Sequence, residues 1–244
     1  VRYSTRGRVA VISFANPPVN SLGFELRRAL AAAIERMQAD TAVDAAVLVG
    51  ANGTFSGGAD IKEFGTPEAF RGPTLWSLNA TLDDSTKPVV AAIEGIALGG
   101  GFELALMADM MVLGADARLG LPETNLGLIP GAGGGQRLLA LAGRARATRM
   151  ILTGEVIDAE TALSWGIAAY ASDTPLVEAE ALASRLAQRA PLALMAAKQA
   201  LIASEASLAL QAERAGFEAL LDSQDKTEGI RAFREKRKPE FKGQ

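Results

Sequence analysis

The 244-residue chain contains no cysteine and no histidine. Without cysteine there is no disulfide, no thiolate nucleophile and no cysteine-ligated metal, and a reducing compartment is compatible with the composition. The lack of histidine excludes more, because Ser-His-Asp and Cys-His machinery and most zinc sites lose their usual parts. No metal site is expected, and acid/base chemistry falls to Asp, Glu, Lys and Tyr. A basic excess is missing too: 25 Lys and Arg against 28 Asp and Glu leave a formal charge of -3. That gives no global electrostatic case for nucleic acid or an anionic membrane, so an anionic ligand must be met by local basic groups. No apolar run approaches the length of a membrane span, and Arg2-Tyr3-Ser4-Thr5 does not open a signal peptide. The expectation is a cytoplasmic protein with no membrane partner.

What is present centres on residues 87–134. Lys87-Pro88 precedes the apolar run Val89-Val90-Ala91-Ala92-Ile93, which reads as a buried strand. Gly99-Gly100-Gly101 follows, where backbone can approach another group closely. Residues 102–108 then read as a helix carrying Glu103 near its start, and a second carboxylate, Glu123, lies in the loop Gly120-Leu121-Pro122-Glu123-Thr124. Both sit among apolar residues, where an ionised group must be satisfied structurally or kept for chemistry. Two such carboxylates beside glycine-rich backbone point to acid/base work on a substrate whose developing charge is held by peptide N–H groups.

Upstream, alternation predicts a strand over 9–14, ended by Asn16-Pro17-Pro18-Val19-Asn20, with Ser21 as a helix cap. Leu22, Leu26, Leu30, Ala33, Ile34 and Met37 recur at helical spacing over 22–39, which assigns Arg27, Arg28, Glu35 and Arg36 to a solvated face. Residues 45–49 predict the next strand, followed by a small-residue loop over 50–60 that presents backbone N–H groups, that of Ala59 in particular. Ser56 in this loop has no histidine to activate it. Residues 67–86, with Phe70, Leu75, Trp76, Leu78 and Leu82, predict a helix interrupted at Gly72-Pro73. Asp109 reads as a cap or loop acceptor ahead of a strand over 110–113. Gly131-Ala132-Gly133-Gly134-Gly135-Gln136 departs from a dinucleotide fingerprint at Gln136 and reads as a helix entry. Asp158 reads as an N-cap, residues 167–170 as a last strand, and the pattern from Pro175 onward is helical, with a break at Pro191 and segments to Ala203 and over 208–221. Strands crowd the first two thirds and helices the last, which implies an α/β core over 1–190 and a helical C-terminal subdomain over 191–244.

The motifs Asn16-Pro17-Pro18-Val19-Asn20, Phe55-Ser56-Gly57-Gly58-Ala59-Asp60-Ile61-Lys62, residues 95–103, 121–134 and the tail 228–241 together resemble the enoyl-CoA hydratase/isomerase (crotonase) family, end to end and in order. The resemblance implies a crotonase-like spiral of stacked ββα units whose C-terminal helices mediate oligomerisation. It also implies syn addition of water to a trans-2-enoyl-CoA thioester. Glu103 matches the glutamate that activates water, Glu123 the one that delivers a proton, and Ala59 and Gly100 the backbone donors to the thioester oxygen. Ala59, Asp60, Ile61, Lys62 and Gly100 match residues along the CoA ester. Phe233 and Lys236 match an aromatic and a lysine supplied by a neighbouring subunit. The expected assembly is a homo-oligomer, a trimer or a dimer of trimers, and coenzyme A enters as part of the substrate with no separate cofactor. Three alternatives stand beside hydration: an enoyl-CoA isomerase, which needs chiefly the carboxylate at Glu123; the hydratase half of a bifunctional enzyme, against which the tail weighs; and a non-catalytic CoA-ester or RNA binder. Presence of both glutamates favours hydration.

Overall fold

The structure, a computed structural model, describes residues 1–69, 71–202 and 207–241. Phe70 and Ala203, expected in helices, lie outside the described residues, as do the side chains of Leu208 and Leu210. In chain order the first half comprises β1 (Arg2–Arg6), β2 (Val9–Phe14), α1 (Phe24–Ala39), β3 (Ala45–Gly50), α2 (Leu75–Asp83), β4 (Val89–Ile93), β5 (Ile96–Leu98) and α3 (Gly100–Leu106). The second half comprises β6 (Met110–Leu113), β7 (Arg118–Gly120), α4 (Gly134–Ala142), α5 (Arg144–Thr153), β8 (Val156–Asp158), α6 (Ala159–Ser164), β9 (Tyr170–Ala171), α7 (Pro175–Leu186), α8 (Pro191–Ile202), α9 (Ser207–Leu220) and α10 (Gln224–Arg234). Two 3-10 turns, Pro67–Ala69 and Glu123–Leu126, complete the described elements.

The larger sheet has the order β1-β2-β3-β4-β6-β9, with β1 antiparallel and the rest parallel. β3 and β4 are buried along their whole length, because α1 and α3 contribute to the core on one face and Ala179, Leu182 and Ala183 of α7 cover the other. That two-sided burial is why they read as continuous apolar runs rather than as alternating ones. A smaller sheet holds β5-β7-β8. β4 and β6 each lie in the large sheet while the strand that follows, β5 or β7, lies in the small one, and a bridge between Ser56 and Ala97 brings the preceding unit into the same series. This repeated strand, strand, helix step is the expected α/β spiral, and the three C-terminal helices follow it.

Three expectations need correction: the last strand, expected over residues 167–170, is β9 at Tyr170–Ala171, where it pairs with β6. The cap of α1 is Gly23 rather than Ser21, and the N-terminal N–H of Phe24 is met from outside the helix by Glu63 Oε1 at 2.6 Å. Arg27 is buried rather than solvated: it donates to the carbonyls of Leu22, Glu68 and Pro73 and pairs with Glu63 at 3.1 Å. A buried guanidinium is tolerated because these acceptors replace water, and the result ties the irregular segment over 63–73 onto α1. Asp109 acts as the expected acceptor, taking the Val89 N–H at 2.7 Å and the buried Lys198 Nζ of α8 at 3.0 Å. Among the described residues no helix is long and apolar enough to cross a membrane.

Candidate active site

Three glycine-rich segments meet beneath the Glu123–Leu126 turn. The first is the loop after β3, and its shape is set by Asn20, which holds a left-handed φ of 51° and donates through Nδ2 to the carbonyls of Ala51 and Thr54. Ser56 Oγ donates to the Asn20 carbonyl at 2.8 Å and accepts from the Gly58 N–H at 3.1 Å. Ser56 is therefore a brace for the loop, which leaves the next N–H, that of Ala59, without an acceptor among the described residues. The second segment is the start of α3, where Gly100 is the first helical residue and its N–H is an orphan donor at the positive end of the helix. The two donors are neighbours: a Cβ on Gly100 would lie 3.5 Å from the Ala59 nitrogen, and one on Gly58 would lie 3.4 Å from the Gly100 nitrogen. Glycine is favoured at 58 by its φ of 102° and by the Leu98 carbonyl, 2.8 Å from where a Cβ would stand, and at 100 by the Leu75 side chain, 2.9 Å from its Cβ position.

One turn into α3, Glu103 is almost wholly buried at 4% exposure. The third segment, leading into α4, reaches it: Oε1 accepts the N–H of Ala132 at 2.7 Å and of Gly134 at 3.1 Å. Burial pushes this carboxyl above its ordinary value, while the N–H bonds from Ala132 and Gly134 and the charge of Arg214 pull it back down. The outcome is a carboxyl poised higher than a solvated glutamate, as a base working near neutral pH requires. Glu123 opens its own turn behind Pro122, with both carboxylate oxygens shut off from solvent and Oε1 against Gly99, 3.1 Å from where a Cβ would stand.

Glu103, Glu123, Ala59, Gly100 and Ile61 all line one cavity of about 170 Å³, whose remaining wall is mainly apolar, with Leu75, Trp76, Leu128, Ile129 and Phe217 prominent. Asp60, Lys62, Phe233 and Lys236 lie outside it. Asp60 Oδ1 accepts the Lys62 N–H in a turn at the rim, and Lys62, Phe233 and Lys236 are exposed. The tail runs close by in the same chain: Gly229 of α10 packs on Leu126, Asp225 on Gly127, and Arg234 donates to the Ile61 carbonyl at 2.8 Å. Phe217 of α9 and Leu221 just after it also line this cavity.

Arg27 and Arg214 also line the cavity, and the sequence reading passed over both as site residues. A signal was there. Arg27 stands three and seven residues before Leu30 and Ile34, and Arg214 three and seven before Phe217 and Leu221, so each cation shares the inward face of its helix.

Two buried or half-buried carboxylates and two convergent N–H donors over an apolar cavity define a site for proton transfer on a carbonyl compound whose oxygen gains charge. The family model described as enoyl-CoA hydratase/isomerase matches residues 4–244, and the chain belongs to that family. It is 41% identical to a 2,3-dehydroadipyl-CoA hydratase of Escherichia coli, over 98% of this chain and 97% of that protein. It is 39% identical to a probable enoyl-CoA hydratase of Bacillus subtilis, over 97% and 96% of the two chains. The crystal structure of a carnitinyl-CoA hydratase from Mycobacterium avium superposes with a TM-score of 0.89 at 34% identity, covering 100% of this chain and 98% of the other.

Proposed function

We propose that the protein is an enoyl-CoA hydratase, adding water syn across the double bond of a trans-2-enoyl-CoA to give a 3-hydroxyacyl-CoA. The observation that carries this reading is the convergence of Glu103, Glu123 and the N–H groups of Ala59 and Gly100 on one cavity. Glu103 takes a proton from water as it attacks C3. Electron density moves onto the thioester oxygen, where the Ala59 and Gly100 N–H groups hold the enolate-like charge, aided by the positive end of α3. Glu123 delivers a proton to C2, and the two carboxyls then exchange their protons with solvent. An isomerase would need only one of them, so the pair favours hydration.

The same reading places the thioester of the CoA ester along Ala59, Asp60 and Ile61, with Lys62 as a point charge for the anionic nucleotide end. No cofactor beyond the substrate's own coenzyme A takes part. Phe233 and Lys236, exposed on a tail that borders the site, serve a neighbouring subunit in a trimer or a dimer of trimers. The apolar side chains of Leu192 and Leu201, 76% and 73% exposed on α8, support such an assembly. The working compartment is the cytoplasm. The names of the relatives span straight and functionalised acyl groups, so the test is a panel of trans-2-enoyl-CoA esters followed by loss of the conjugated thioester absorbance. No decay with any of them sinks hydration, and migration of the double bond in place of hydration supports the isomerase.

A further inference from the structure

The cavity has one feature that hydration of a simple enoyl thioester does not use. Its wall is largely apolar, yet Arg214 of α9 stands in it with a side chain only 21% exposed. A guanidinium drawn out of water needs partners, and those of Arg214 are thin. Nε donates to Glu218 Oε1 at 2.8 Å and Nη1 to the Gly131 carbonyl at 3.2 Å, while Cζ lies 5.3 Å from the Phe217 ring and 6.0 Å from that of Trp76. Among the described residues Nη2 donates to nothing. Glu218 is 57% exposed, one helical turn along α9, and such a surface pair contributes little.

The position of the cation is as telling as its partners. Gly131, which Arg214 holds, is followed by Ala132, whose N–H anchors Glu103. The charge therefore sits beside the reacting carboxylate rather than at the rim where the nucleotide end would lie. A guanidinium held near two aromatic rings, with its Nη2 unused at the wall of an apolar cavity, suits a carboxylate that accepts charge-assisted hydrogen bonds. It also offsets the repulsion that Glu103 and Glu123 would exert on a second anion.

We propose that Arg214 is the specificity-determining residue for a short-chain acyl group that carries a second carboxylate, so that the preferred substrates are dicarboxylic enoyl-CoA esters. This rests on the reading that an acyl-CoA ester fills the cavity. The rival use of the cation, holding Glu103 ionised, would act on every substrate alike, whereas a carboxylate subsite acts on one class.

The test uses saturated esters, which bind but cannot be hydrated. Isothermal titration calorimetry compares hexanedioyl-CoA with hexanoyl-CoA on the full-length wild type and on Arg214→Gln, each checked for folding by circular dichroism. The wild type should bind the dicarboxylic ester at least about tenfold more tightly, the scale of a charge-assisted hydrogen bond, and Arg214→Gln should abolish or invert that ratio. Arg214→Lys should recover part of it, and carries the test should the glutamine variant fail to fold. Equal affinities in the wild type, or a ratio that neither substitution moves, overturn the proposal. A parallel hydration assay with the two corresponding trans-2-enoyl esters keeps the readings apart. No hydration with the binding ratio intact sinks the hydratase and leaves Arg214 its role; hydration of both esters without preference in binding or rate sinks the carboxylate subsite alone.

Discussion

Glycine at position 134 offers a direct probe of how tightly the geometry around Glu103 is set. It lies in the first turn of α4, where alanine would ordinarily favour the helix by roughly 0.5–1 kcal/mol. Here a Cβ would lie 2.6 Å from Glu103 Cγ and 3.0 Å from Oε1. Carbon atoms rest about 3.5–4.0 Å apart, so the glutamate must retreat by about 1 Å. That movement loosens the bonds from Ala132 and Gly134, and a misplacement of about 1 Å at a reacting group costs on the order of 10²-fold in rate. Overpacking of this kind costs a further ~1–3 kcal/mol of stability, opposed by the gain in helix propensity, so Gly134→Ala should fold but turn over poorly. The assay is kcat for hydration of an accepted enoyl-CoA in the single variant and on a Glu103→Gln background. If the alanine acts through Glu103, it should cost little more once that carboxylate is gone. A folded Gly134→Ala enzyme within twofold of wild type, or an undiminished loss on the Glu103→Gln background, would refute the reasoning.

Glu103→Gln itself should lower hydration by about 10²–10⁴-fold. Its folded-state carboxyl is raised above the unfolded value, so ionisation costs stability that is absent below the unfolded value and complete above the folded one. The variant's thermal midpoint should therefore gain on the wild type as pH rises, and a pH-independent difference would contradict the buried placement. Arg27→Met strands Glu63 and three carbonyls, and breaking a buried pair at a cost of about 3–5 kcal/mol should lower Tm by roughly 6–20 °C in a thermal melt; an unchanged midpoint would show that the clamp is not structural. Lys236→Ala should weaken CoA-ester binding a few-fold, less so at high salt. Sedimentation of a fully active monomer would remove the role assigned to a neighbouring subunit.

The sequence by itself determined the four central strands of the large sheet and the carboxylates. β2, β3, β4 and β6 are runs whose apolar content follows from burial between α1 and α7, and the residue order alone marks where polar backbone can stop hiding. Glu103 and Glu123 stood out for the same reason, as charges among neighbours that exclude water. Tertiary structure decided what short-range pattern cannot encode. β5, β7 and β8 are three residues each, too short for alternation to show, and exist because the units stack. Ser21 lost its capping role because Glu63, far along the chain, meets the α1 terminus first. Arg27 and Arg214 fall on the inward stripe of their helices, but only the fold brings the acceptors and aromatic rings that make a cation tolerable there. A long side chain is assigned to water or to the interior by what the rest of the chain places at its tip, and that is a property of contacts distant in sequence.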